Sequence, residues 1–259
     1  MNSTPDVPGG MTLFDHLKEL RSRLLRAVIA LIVGTVAGYL IFPQILDVLL
    51  APYCHVAETL RPAEPCRLIA LRPLEPFSVR VKTSVVVGLF LGGPVIMYQL
   101  WRFITPGLTT RERRYSLPFV AFSQVMFAAG FVSAYFVIPQ GLNILLNIGG
   151  PRIEALLSAN EYLSFFLAMS IAFGLVFELP LVLIFLALVG VVRAASLRSF
   201  RPYAVVLMFI ASAIITPTTD AVTLLLLAGP MIVFYELSIG FAWLIERRRG
   251  RREQGRFAT

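Results

Sequence analysis

The run GLVFELPLVLIF, residues 174–185, sets a single carboxylate in the middle of an apolar stretch. From Tyr162 to Val192 the only charged side chain is Glu178, and Pro180 follows two residues later. About 20 apolar residues suffice for a helix to cross the hydrocarbon of a bilayer, so this stretch is a membrane span. A charge at the bilayer centre costs roughly 2.5–3.5 kcal/mol even on lenient insertion scales. Glu178 therefore needs a purpose.

The rest of the chain has the same character. Of 259 residues, 57% are apolar and 15% charged, with a mean hydropathy of +0.78. That leaves too few charges for the polar shell of a soluble domain. The expected fold is all-α, a polytopic membrane protein with six transmembrane helices at about 24–42, 83–104, 117–138, 162–190, 203–215 and 221–244. Residues 1–11 are read as a disordered N-terminus, with no cleavable signal peptide apparent. Residues 12–246 make one transmembrane domain, and 247–259 a basic tail. The fifth apolar run, 13 residues, covers roughly 20 Å at ~1.5 Å per residue. It implies a re-entrant hairpin, a bilayer that thins around short fifth and sixth spans, or a span boundary placed too late.

Six spans put both termini on one side. Arginine and lysine choose it: Lys18, Arg21, Arg23 and Arg26, then Arg102, Arg111, Arg113 and Arg114, then Arg193, Arg198 and Arg201, then the six arginines of the tail. These are 17 of the 23 basic residues, so both termini are expected in the cytoplasm. The net charge of +8 then reflects topology and anionic lipid, not nucleic acid.

Pro94, Pro180 and Pro230 fall inside spans and should kink their helices, leaving a concave bundle in which a carboxylate could avoid lipid. Before the first span, Leu13, Leu17, Leu20 and Leu24 repeat at helical spacing, as an amphipathic helix on the inner surface would have them. His16, Glu19 and Arg23 lie on its polar side, and Glu19 and Arg23 form an i,i+4 pair. The connection 43–82 carries six prolines and reads as a long outer loop, a cap over the bundle. It contains both cysteines, Cys54 and Cys66, which either pair across 12 residues in an oxidising compartment or stay as two thiols, since spacing alone does not fix the geometry.

Chemistry is sparse. Two histidines, His16 inside and His55 outside, cannot meet across the bilayer, so neither a Ser–His couple nor an HExxH metal site is available, and no Walker-type motif occurs. The intramembrane carboxylates Glu178, Asp220 and Glu236 show no spacing that builds an acid–base pair. An enzyme is not expected, nor any cofactor or metal. Two classes remain. One is a proton-coupled secondary transporter using Glu178. The other is a receptor or assembly protein in which Glu178 meets a polar group on a partner helix. Transporters usually show internal repeats and paired broken helices. Neither is visible, and the residues lean to the second class.

The blocks HLKELRSRL (16–24), YQLWRFITPGLTTRERR (98–114), AYFVIP (134–139), FGLVFELP (173–180) and TPTTD…LAGPM…YEL (216–237) occur in the order found in the TatC family, the large membrane subunit of the twin-arginine protein translocase. The chain resembles that family over residues 12 to 240. The resemblance implies a glove-like bundle in the bacterial cytoplasmic (inner) membrane. It also implies a receptor for twin-arginine signal peptides of folded proteins, docking the single-span subunits TatA and TatB and driven by the proton-motive force. Self-association is expected as well. The family's recognition carboxylates fall at Glu19 and Glu112, with Phe103 and Arg21 in the same motifs. A carboxylate suits a guanidinium fork in a way that lysine cannot reproduce. Glu112 is flanked by Arg111, Arg113 and Arg114, a field that repels a cationic peptide unless an internal pair is displaced or anionic lipid intervenes.

Glu178 matches the family's glutamate in the fourth span. Protonated, it could donate a hydrogen bond to a docking helix, an interaction averaging near ~0.6 kcal/mol between membrane helices; the bland alternative is an internal bond to a neighbouring helix. Where family members often carry a glutamine four residues after the aspartate, this chain has Leu224, so the role of Asp220 is held loosely. Pro52, Glu75 and Pro76 are expected to be structural residues of the outer cap.

Overall fold

The computed structural model describes residues 13–60, 68–104, 116–147, 158–215 and 221–257. These form seven helices: α1 (Leu13–Leu40), α2 (Phe42–Leu60), α3 (Glu75–Ile104), α4 (Ser116–Asn147), α5 (Ala159–Val189), α6 (Ala194–Ile215) and α7 (Ala221–Phe257). Six of them are long and apolar enough to cross a membrane, so the chain is a multi-pass helical membrane protein. Among the described residues there is no strand. An isolated parallel bridge joins Ile69 to Ser158.

α5 is the central element. It is apolar all round, as a helix must be when it has neighbours on every side, and about half of its 31 residues are buried. Its start is fixed by a capping box: Ser158 Oγ accepts from Glu161 N, and Glu161 Oε2 accepts from Ser158 N. It ends at Gly190, where φ is 83°, a left-handed conformation that suits glycine. Phe166, Phe173, Tyr162 and Leu163 are 0–1% exposed and anchor the core against α4 and α7.

α1 packs almost wholly on α3, and the seam is made of glycine. Gly34 and Gly38 of α1 face Gly88 and Ser84 of α3, and Gly92 faces Ala30. A Cβ on Gly34 would lie 2.6 Å from the Gly88 carbonyl oxygen, and one on Gly88 would lie 2.5 Å from Thr35 N. Two G-x-x-x-G faces thus let the backbones touch, which is how helices associate where lipid supplies no hydrophobic drive. Gly130 plays the same part between α4 and α5, against the Phe173 carbonyl.

Three boundaries differ from those the hydropathy suggests. The outer loop 43–82 is largely helical: α2 occupies Phe42–Leu60, with Pro52 inside it and buried. Its apolar residues Phe42, Ile45, Leu46, Leu49, Leu50 and Tyr53 repeat at helical spacing and pack on the core, and that outweighs the proline. α3 begins at Glu75, because Arg80 and Lys82 near its start find partners on α1 and α5. Arg80 donates to the Tyr39 carbonyl (3.1 Å) and stacks over the Tyr39 ring, and Lys82 donates to Asn160 and Ser164. α6 begins nine residues before its apolar run, at Ala194, and reaches 22 residues. At ~1.5 Å per residue that is about 33 Å, enough to cross. The basic tail continues α7 as helix to Phe257.

Candidate functional site

At one end of the bundle the first turns of α1 meet the last turn of α3 around a cavity of about 360 Å³. Lys18, Glu19, Ser22, Arg23, Arg26 and Arg102 line it. Nε of Arg23 donates to Glu19 Oε1 at 3.0 Å, and Nη2 donates to the same oxygen. The pair is half-buried, with side chains 11% and 24% exposed. Arg102 donates to Tyr98 Oη at 3.0 Å and lies over its ring. Phe103 follows it, half-buried. Arg21 is exposed and does not line this cavity, since two residues along a helix is more than half a turn from Glu19. Glu112 lies outside the described residues.

The second feature is deep in the bundle. Glu178 is buried, and its Oε2 accepts from Ser123 Oγ of α4 at 2.7 Å. Its Oε1 is buried without a hydrogen-bond partner, as are the side-chain oxygens of Gln99 and Gln124. The internal bond weighed from sequence is therefore present, and it uses half of the carboxyl group. Glu236 is not joined to Glu178. It takes Arg201 Nη2 of α6 at 2.7 Å, with both side chains largely exposed. Asp220 lies outside the described residues.

At the other end, Glu75 is a junction. Its Oε1 accepts from Asn160 N (2.8 Å) in the first turn of α5, and its Oε2 accepts from Leu71 N (2.8 Å) and Arg72 N (3.2 Å). A carboxylate placed this way satisfies orphan amides at a helix start. Pro76 occupies the first turn of α3, where proline costs nothing. Tyr162 Oη donates to the Leu49 carbonyl at 2.7 Å, tying α2 to α5. Cys54 in α2 is disulfide-bonded; the chain has one other cysteine, Cys66, which lies outside the described residues. No group of three or more His, Cys, Asp or Glu gathers as a metal site among the described residues.

Residues 15–230 match the family model described as Sec-independent protein translocase protein (TatC). The chain belongs to the TatC family. The Sec-independent protein translocase protein TatC of Frankia casuarinae is 42% identical over 248 residues, covering 93% of this chain and 68% of that protein. The protein of the same name from Magnetococcus marinus is 42% identical over 249 residues, covering 96% of this chain and 90% of its own. Among solved structures, a crystal structure of the twin arginine translocase receptor TatC superposes with a TM-score of 0.77 at 37% identity, covering 88% of this chain and 99% of that one. TatC membership places the chain among protein translocases and agrees with its six spans. The pairing of Ser123 with Glu178 was missed in the sequence, because 55 residues separate them and serine in a span carries no signal of its own. The paired G-x-x-x-G faces were there to be read.

Proposed function

We propose that this chain is the receptor subunit of a twin-arginine translocase. It takes the consecutive arginines of a signal peptide on Glu19 and Glu112 and docks the single-span subunits TatA and TatB, in the bacterial cytoplasmic membrane with both termini in the cytoplasm. Family membership and the likeness to solved structures of the twin arginine translocase receptor TatC support the receptor. The observation that carries the site is the Arg23–Glu19 contact, in which two N–H groups of one guanidinium converge on the carboxylate. Glu19 is already disposed to hold a guanidinium, and a peptide arginine can replace Arg23 by exchange of like for like. A lysine ammonium, a compact point charge, cannot reproduce that fork.

Glu178 is the docking residue of this reading. Its Oε1 lacks a hydrogen-bond partner but is buried, so a docking helix meets it only where neighbouring side chains move aside. Protonated, the group donates to a polar side chain on TatA or TatB. The test is binding of Arg-Arg and Lys-Lys signal peptides to the purified protein, alongside Glu19→Ala and Glu112→Ala. Arg-Arg-selective binding that either change weakens is the expected result. Equal weak binding of both peptides, indifferent to either glutamate, would refute the site and direct attention to proton-coupled uptake through Glu178.

A further inference from the structure

The cavity that holds Glu19 has a charge problem. Among the described residues, four cationic side chains, Lys18, Arg23, Arg26 and Arg102, line it with one carboxylate, Glu19, so the described lining is predominantly positive. Such a field repels an arginine-bearing peptide and attracts an anion. The cavity is of ligand size, at the low end of the ~300–1,000 Å³ typical of small-molecule sites. It also sits where two membrane-spanning segments end, at Leu17 and Phe103. Leu17, Leu20 and Leu24, on the same turns as its charged lining, are 58%, 39% and 61% exposed. Charged groups around a cavity with exposed leucines beside it fit a molecule with a phosphate head and acyl tails better than a free ion.

We infer that this cavity seats the phosphate headgroup of an anionic lipid, and that the headgroup primes Glu19 for a peptide guanidinium; the second half rests on the receptor reading above. Lys18, Arg26 and Arg102 hold the phosphate, with guanidinium forks suited to its oxygens. The phosphate acts in two ways. It offsets the surplus positive charge, and it competes with Glu19 for Arg23, the side chain that now occupies the carboxylate. Lipid and peptide therefore bind with positive coupling, and the coupling is reciprocal.

The experiment uses the full chain in nanodiscs of phosphatidylcholine alone or of phosphatidylcholine with phosphatidylglycerol. The comparison is wild type against the double variant Lys18→Gln/Arg26→Gln, in the same membranes, so that the attraction of a cationic peptide to the charged surface cancels. Both positions are exposed, and Lys18→Arg/Arg26→Lys serves as the charge-preserving control for folding. Retention of fluorescent phosphatidylglycerol by the purified protein is read first, then binding of the Arg-Arg peptide. Wild type should retain the anionic lipid over phosphatidylcholine. It should also bind peptide about fivefold more tightly in the anionic membrane than the double variant does, the lower end of usual coupling strengths. The control should behave as wild type.

Glu19-dependent peptide binding with no difference between wild type and the double variant overturns the inference and leaves the receptor reading standing. Peptide binding that ignores Glu19→Ala in both membranes overturns that reading and takes the coupling with it; selective lipid retention then still supports the headgroup site. Inorganic phosphate that displaces the lipid and stimulates peptide binding in phosphatidylcholine would show a site for free phosphate and refute the lipid.

Discussion

Ser123 Oγ and Glu178 Oε2 stand 2.7 Å apart in the interior, joining α4 to α5 across 55 residues of sequence. The bond is a structural element whatever else Glu178 does. Ser123→Ala should cost about 1–3 kcal/mol of stability, because it leaves a buried carboxyl without its partner. Glu178→Gln should cost less, since the amide oxygen accepts the same bond. Thermal unfolding of Ser123→Ala, Glu178→Ala and their double variant in detergent, each single change removing the bond, gives the coupling directly. Strict additivity would count against the contact.

The glycine seam between α1 and α3 makes a sharper prediction. On Gly34 an added methyl meets backbone, 2.6 Å from the Gly88 carbonyl oxygen, whereas on Gly240 it meets nothing within 4 Å. Gly34→Ala should lower stability by about 1–3 kcal/mol, the usual cost of overpacking. Gly240→Ala should be neutral or gain up to about 1 kcal/mol from helix propensity. A pair of melting curves decides it, and equal shifts would contradict the seam.

Glu75 holds three backbone amides on two segments. Glu75→Ala should strip all three of their acceptor and loosen the junction. Hydrogen exchange at Leu71 and Asn160 should rise together in the variant. Faster exchange at only one of them would mean that the junction does not link the 68–75 segment to α5.

Arg23 and Glu19 are an i,i+4 pair, a type worth about 0.3–0.5 kcal/mol. Arg23→Gln should accordingly leave the melting temperature almost unchanged. It should nonetheless tighten Arg-Arg peptide binding by about twofold or more in phosphatidylcholine nanodiscs, because ~0.4 kcal/mol of competition is removed. A titration with labelled peptide measures it. Weaker binding would show that Arg23 contacts the peptide instead of competing with it.

Six spans were legible because each carries a long apolar run that no soluble domain would tolerate. Where they begin was not. Hydropathy starts α3 at residue 83, although Arg80 and Lys82 sit inside it with partners on α1 and α5, and such long-range partners are invisible to a window on the sequence. α2 was hidden by its prolines, although Ile45, Leu49 and Leu50 kept helical spacing. Of the site, Glu19 and its pairing with Arg23 were readable from local spacing. The cavity was not, since Arg102 reaches it from 76 residues beyond Arg26, through the packing of α3 on α1.

That packing has a consequence for recognition. α1 leans on α3 and on little else, so the glycine contact is a fulcrum, and the start of α1 is the long arm that meets the last turn of α3 at the charged cavity. Glu19 lies 15 residues from Gly34, about 22 Å along the helix at ~1.5 Å per residue. A tilt of α1 too small to notice at the fulcrum is magnified at the carboxylate. On the receptor reading, substitutions at Gly34 or Gly88 should therefore blunt arginine selectivity while leaving every charged residue in place.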